Sequence, residues 1–356
     1  MNKKIAVIKD EELGSEVIGA AIEVLDTIAK KYGHRFEYVD LSGEILSCAE
    51  QNLRIPSCAV EKCLSVDGIL FGVSDEKKAR FSTTRFCRDN ALRELADSLK
   101  LYAEVRPIKI YPALKDLSPL KNNIVKDGLD FIIVKETTGG IYNGEKGIRR
   151  GSLGREAYDV ERYSEIEIER VARVAFELAE KRKCKLTSVD KADRLESSRL
   201  WRYAIHEVAQ DYPNVEVTDL FVNECAAKLL ESPNKFDVIL TNGFFGDALL
   251  GVANALTGCA AILPSALVND SLLGLYSPAC NYLPYVAKNI ANPIGAILSA
   301  KTMLDDCFDM HEEATNINNA VTDVINAGYC TVDICSNDVL PLSTQAITNK
   351  IIERLK

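Results

Sequence analysis

Short apolar runs alternate along this chain with longer stretches in which apolar side chains recur every three or four positions. Lys3 to Ile8 predicts a strand, and Glu16 to Lys31 follows with Val17, Ala21, Leu25, Ile28 and Ala29 at helical spacing. Phe36 to Leu41 predicts a second strand, Asn52 to Leu64 a helical segment around Pro56, and Val66 to Gly72 a buried strand. Ser74 to Asn90 is charged and irregular, which predicts a loop. Ala91 to Leu101 reads as a helix and Val105 to Tyr111 as a strand. Strand and helix in alternation signal an α/β fold, with a mainly parallel sheet covered by helices.

The middle of the chain keeps the rhythm. Asp130 to Val134 predicts a buried strand whose carboxyl end delivers Lys135 and Glu136 into a Gly139-Gly140 turn and an exposed loop bearing Tyr142. Paired glycines permit a sharp turn or close approach to a ligand, and ligands of open α/β sheets sit at this end of the strands. Gly144 to Tyr158 is polar and Gly-rich, a hairpin or arm. Ser164 to Lys183 predicts a helix with a Ser164–Glu167 capping box. Strands follow at Lys185–Asp190, Val215–Val222 and Phe236–Thr241, the last running into Gly243-Phe-Phe-Gly-Asp247. Helices are expected at Ser197–Gln210, Glu224–Leu230, Ala248–Ala255, Ile290–Leu304, Glu312–Asn326 and Thr344–Leu355.

Composition narrows the class. The chain has 356 residues, is 47% hydrophobic and carries a net charge of −9. That suits one large or two medium domains, and the charge argues against nucleic acid or anionic membrane as a partner. No apolar run approaches the roughly 18–20 residues of a membrane helix, and Met1 to Ile8 leads directly into a strand without the pattern of a signal peptide. A cytoplasmic location is therefore expected. The 11 cysteines lack CxxC spacing, so reduced thiols are expected. Three histidines, His34, His206 and His311, lie far apart. That spacing argues against a His-rich zinc site or a Ser-His-Asp triad, and acid–base chemistry is expected to fall to Tyr, Lys, Asp or Glu.

Five segments together resemble the isocitrate/isopropylmalate dehydrogenase family, and within it 3-isopropylmalate dehydrogenase most: Lys135–Gly144, Glu167–Glu177, Asp190–Trp201, Phe236–Asp247 and Lys288–Pro293. The resemblance covers almost the whole chain. It implies a homodimer of two-domain subunits with shared active sites. Residues 1–100 with 254–356 would form the cofactor-side domain, and residues 101–253 the dimerisation and substrate domain. An arm at about 144–160 would clasp the partner. The implied reaction oxidises a 2-hydroxy acid by hydride transfer to NAD and then releases carbon dioxide, with Mg²⁺ or Mn²⁺ polarising the hydroxyl.

Carried over residue by residue, the resemblance assigns proton transfer to Tyr142 and Lys191. The plain alternatives are an ordinary loop tyrosine and a solvated lysine. Arg106 and Lys135 fall where arginines hold the substrate's two carboxylates. Lysine keeps the charge of an arginine but loses its planar fork. Ala96 stands where a further arginine belongs, with Arg93 one helical turn away. The metal positions read Asp247, Gly251 and, from the partner, Asn223, with Glu224 as a substitute ligand; a hard cation wants charged oxygens. An asparagine beside the lysine has become Asp193. In the cofactor loops, Asp10 and Glu12 replace glycines, Cys280 and Asn281 replace close-approach glycines, and Tyr285 replaces the acidic residue that takes the ribose hydroxyls. Asn292 is retained for the adenine, its plain alternative being a cap or turn residue.

Two readings follow. In one, the fold and dimer persist while the standard reaction is lost or altered, leaving a regulatory, ligand-binding or scaffolding role. In the other, retained Tyr142, Lys191, Arg106 and Asp247 serve a working oxidoreductase or decarboxylase on a different 2-hydroxy acid.

Overall fold

The computed structural model describes residues 1–11, 13–50, 54–72, 88–270, 273–280, 289–335 and 339–355. Most of the loop expected at Ser74–Asn90 lies outside these residues, as do Glu12, Asn281, Tyr285 and Lys288. Along the chain the strands are β1 (Asn2–Lys9), β2 (Arg35–Asp40), β3 (Gly68–Gly72), β4 (Ala103–Ile110), β5 (Leu129–Glu136), β6 (Lys146–Gly151), β7 (Gly154–Asp159), β8 (Lys185–Asp190), β9 (Glu216–Phe221), β10 (Val238–Thr241), β11 (Pro264–Val268) and β12 (Gly274–Pro278). The architecture is mixed α/β with mostly parallel strand pairing, as the alternation of patterns implies.

Two compact units divide the chain: Met1–Leu101 with Tyr111–Leu117 and Cys259–Lys356, and Tyr102–Ile110 with Ser118–Gly258. In the first unit the strand order is β2-β1-β3-β12-β11, parallel except for the β11–β12 pair. The helix Leu13–Tyr32 buries one stripe that includes Val17, Ile18, Val24, Leu25 and Ile28. The helix Ile294–Asp306 buries every residue from Ile294 to Ala300, and Met303 and Leu304 beyond them.

β11 and β12 were not among the expected strands. Each is a five-residue run beginning or ending in proline, too short to stand out by period, and together they make an antiparallel ladder from Pro264↔Pro278 to Val268↔Gly274. A second difference concerns the thiols. Cys330 and Cys335 form a disulfide with 5.2 Å between Cα atoms, where reduced cysteines were expected. A turn closed by Ile334 N–H donating to the Thr331 carbonyl (3.1 Å) folds the segment back and brings the two side chains together.

The second unit orders its strands β4-β5-β10-β8-β9. β4 runs antiparallel to β5 and the other neighbours are parallel. Ser164 caps the helix Glu165–Glu180 in a complete capping box with Glu167, which satisfies N-terminal amides that have no helical partner. The helix buries Ile168, Val171, Ala172, Ala175 and Phe176. Gly243 to Asp247 is helical, because Asn242 Oδ1 accepts the Phe245 amide at 2.8 Å and starts the helix Gly243–Thr257 five residues earlier than its apolar pattern indicates. β6 and β7 form a separate two-stranded hairpin that leaves Ile148 and Leu153 exposed.

Candidate functional site

The Lys135–Gly144 stretch shows how local rules position the site. Alternation along β5 sends Lys135 and Glu136 to opposite faces. Glu136 is fully buried. Its carboxylate accepts the amides of Thr138 (2.9 Å) and Gly139 (2.8 Å), and Arg170 lies 3.5 Å away. Burial raises its pKa, partly offset by those hydrogen bonds and by Arg170. Glu136 is thus the internal cap of the Gly-Gly turn. The turn's close approach is to the chain itself: a Cβ on Gly140, at φ +74°, would lie 2.2 Å from Tyr163 Oη. Tyr142 follows on the single-turn helix Gly140–Asn143 and is half-buried, where an exposed loop was expected. Its ring meets Phe244 edge-on at 6.2 Å.

On the other face, Lys135 stands directly opposite Glu104 in the β4–β5 ladder. The Lys135 ammonium lies 2.6 Å from Glu104 Oε2 and 2.6 Å from Asp247 Oδ1. Arg106, two residues along β4 and so on the same face, places Nη1 3.1 Å from Glu104 Oε1. Burial works against the Glu104 charge, yet Lys135 and Arg106 hold its carboxyl down to about 2. Burial likewise opposes the Lys135 ammonium, and Glu104 and Asp247 together raise its pKa. Gly246 makes this route possible, since a Cβ there would sit 2.6 Å from the Lys135 stem. Asp247 is one turn beyond the Phe244 that touches Tyr142. Lys135, Arg106, Asp247 and Tyr142 therefore gather at the start of the helix Gly243–Thr257. Glu104, which joins them, was not singled out from sequence. Its signal was its spacing of two from Arg106, but its partner depends on a strand register that the sequence does not print.

Lys191 and Asn223 form a second cluster at the carboxyl ends of β8 and β9, with β10 between them and β5. Lys191 Nζ donates to Asn223 Oδ1 at 3.1 Å, pairs with Asp193 at 3.2 Å and lies 4.8 Å over the Phe221 ring. Buried Asp190 fixes the turn. It accepts Arg202 Nε and Nη2, both at 2.8 Å, and the Ala192 amide at 2.9 Å. Glu224, expected as a substitute metal ligand, accepts the Phe221 amide at 3.1 Å and serves as a helix cap.

In the first unit, Asn292 is buried with both ends of its amide engaged. Oδ1 accepts the Ile294 amide at 3.0 Å, opening the helix that follows, and Nδ2 donates to Asp333 Oδ2 at 3.0 Å. Arg93 belongs to the helix Arg88–Ser98, within electrostatic reach of Asp97. Asp10 Oδ1 accepts the Gly14 amide at 2.8 Å, at the start of the helix Leu13–Tyr32.

At the implied metal positions, Asp247 is paired to Lys135, Gly251 brings no ligand and Asn223 brings a neutral amide, and among the described residues of one protomer no group of three or more His, Cys, Asp or Glu side chains is placed to hold a cation.

The isocitrate/isopropylmalate dehydrogenase family profile matches residues 4–354, and the chain belongs to that family. It is 39% identical over 353 residues to a 3-isopropylmalate dehydrogenase of Clostridium acetobutylicum, covering 99% of each chain. It is 40% identical to one of Aquifex aeolicus, covering 99% of this chain and 97% of that one. Among solved structures, a beta-decarboxylating dehydrogenase of Thermococcus kodakarensis superposes with a TM-score of 0.77 at 29% identity, covering 99% of this chain and 96% of that one. The isocitrate dehydrogenase of Methylococcus capsulatus shares the fold, with a TM-score of 0.82, 23% identity and 99% coverage of both chains. Among the described residues, no helix is long and apolar enough to cross a membrane.

Proposed function

We propose that this chain is a divergent member of its family in which the standard reaction is lost or altered. That reaction is the NAD- and Mg²⁺- or Mn²⁺-dependent oxidative decarboxylation of a 2-hydroxy diacid. The carrying observation is the Lys135 ammonium bound at 2.6 Å to both Glu104 and Asp247. One cation intended for substrate and the one carboxylate intended for metal are committed to each other. A cation entering at Asp247 would have to displace an ammonium that is itself almost buried.

The protein acts as a homodimer in this reading. The Lys191–Asn223 cluster of each protomer serves the partner's Tyr142 and Arg106, and the β6–β7 hairpin clasps the partner through its exposed Ile148 and Leu153. Retention of Tyr142 beside the helix that carries Asp247 favours a second reading, an oxidoreductase or decarboxylase on a different 2-hydroxy acid. The experiment is calorimetric titration of NAD, NADP, Mg²⁺ and Mn²⁺, alone and with a 2-hydroxy diacid. No saturable response to any combination is the outcome for loss of the standard reaction. NAD binding below about millimolar, tightened by metal and diacid, refutes it.

A further inference from the structure

The disulfide of the first unit closes a short loop around an anchoring carboxylate. Cys330 and Cys335 are five positions apart, and Asp333 lies between them. Asp333 Oδ1 accepts the Thr331 hydroxyl at 2.5 Å, while Oδ2 accepts Asn292 Nδ2 at 3.0 Å and the Cys259 thiol at 3.1 Å. Burial and the neighbouring carboxylate push the Cys259 pKa far above its ordinary value, so its sulfur stays a proton donor to Asp333. Asn292 in turn caps the helix Ile294–Asp306. One carboxylate thus joins three stretches of chain: Cys259, Asn292 and the 330–335 loop. Among the described residues this is the only disulfide. A chain with so large an apolar core does not depend on a staple to fold, and a loop this short gains less from closure than a long one. The two sulfurs also differ in access. Cys330 is buried, whereas Cys335 is half-buried beside exposed Val339. Cys335 Sγ lies 3.5 Å from the Val339 carbonyl oxygen, an acceptor in place for the free thiol. The same backbone therefore accommodates both oxidation states.

We propose that Cys330 and Cys335 are a reversible modification site for small-molecule thiols and disulfides of the glutathione class, whose oxidised form holds Asp333 in place for Asn292 and Cys259. A thiolate of the reductant attacks Cys335 Sγ; the S–S bond breaks, and Cys330 leaves as a thiolate that takes up a proton. A second thiolate attacks the mixed disulfide, releasing Cys335, which is protonated in turn, and the small molecule as its own disulfide. Two electrons and two protons have then passed from two small thiols to the protein, and the reverse sequence restores the bond. Opening the bond returns to the loop the freedom that closure removed, roughly a ten- to fiftyfold shift in its local opening equilibrium. The Asp333 carboxylate loosens with the loop, and Asn292 and Cys259 share a less firmly held acceptor.

The test uses the full chain and needs neither cofactor nor turnover, so its outcome is independent of the reaction proposed above. The protein is equilibrated in buffers of graded reduced-to-oxidised glutathione ratio, quenched with acid, alkylated and mapped by peptide mass spectrometry. The Cys330–Cys335 bond should convert between its two states across the series while the protein stays folded. A bond that never forms in oxidised glutathione, or that resists reduced glutathione until the protein unfolds, overturns the proposal. The second arm times N-ethylmaleimide labelling of Cys259 in the oxidised and reduced forms. Reduction should speed it about ten- to fiftyfold, while Cys63 and Cys225, both fully buried, label at unchanged rates. Equal Cys259 rates in the two forms overturn the proposal. So does a parallel rise at all three thiols, which makes the bond a staple of the whole fold. Asp333→Ala, kept oxidised, should label at Cys259 as fast as the reduced wild type, and a rate still at the oxidised wild-type level overturns the role of Asp333. Both redox arms use the wild type, so they decide the proposal even if that variant does not fold.

Discussion

Lys135→Met isolates the contact on which the site depends. Methionine keeps much of the lysine stem's volume while removing its charge. Breaking a fully buried ion pair by removing one partner costs about 3–5 kcal/mol. Here the loss is smaller, because Glu104 keeps Arg106 at 3.1 Å and Asp247, with 43% of its side chain exposed, can be hydrated. The expected destabilisation is about 2–3 kcal/mol near neutral pH. The pH dependence supplies an internal control. The Glu104 carboxyl titrates at about 2 in the folded chain against an ordinary 4.5, so its depressed pKa stabilises the protein fully above about 4.5 and loses that contribution as pH falls towards 2. The gap between wild type and Lys135→Met should therefore narrow on acidification. Urea midpoints measured across that range, at constant slope, give the comparison. A gap under about 0.5 kcal/mol at neutral pH refutes the reasoning, as does one that stays constant down to pH of about 2.

Other substitutions probe the supports of the site. Gly140→Ala forces a side chain into φ +74° and against Tyr163 Oη, at an expected cost of about 1–3 kcal/mol in thermal or chemical unfolding. Ser164→Ala removes the capping hydroxyl of the helix Glu165–Glu180 and should cost about 1 kcal/mol, read from the same unfolding curves. Gly251→Asp meets no atom within 4 Å at its Cβ, so stability should stay within about 0.5 kcal/mol. Combined with Lys135→Met, it supplies a second carboxylate one turn after a released Asp247, and Mn²⁺ affinity by calorimetry should rise over that of Lys135→Met alone.

The sequence carried the architecture where periodicity is strong. The Ile168–Val171–Ala175 stripe, the Ser164 cap and the strands from Lys3 to Asp190 are local signals, and they appear in the structure close to where they were expected. β11 and β12 escaped because short apolar runs with terminal prolines carry little period. The early start of the helix at Gly243 was written in Asn242, a residue whose capping preference outweighs the glycines after it. Site chemistry was legible only as residue types. The Asp247–Lys135 pair was not legible because the two residues are distant in sequence, and the Glu104–Lys135 pairing follows from an antiparallel register set by long-range packing. The glycines of the Gly-Gly turn were ambiguous for the same reason: sequence shows that the backbone approaches something closely, and the structure shows that it is Tyr163.

On the proposed reading, the charges at the start of the helix Gly243–Thr257 are spent on one another and leave no seat for the divalent metal of the standard reaction. Titrating Mn²⁺ into the purified protein, with NAD and a 2-hydroxy diacid present, tests it directly. No saturable heat is expected at metal concentrations up to about millimolar. Saturable binding that is lost in Asp247→Asn would contradict it.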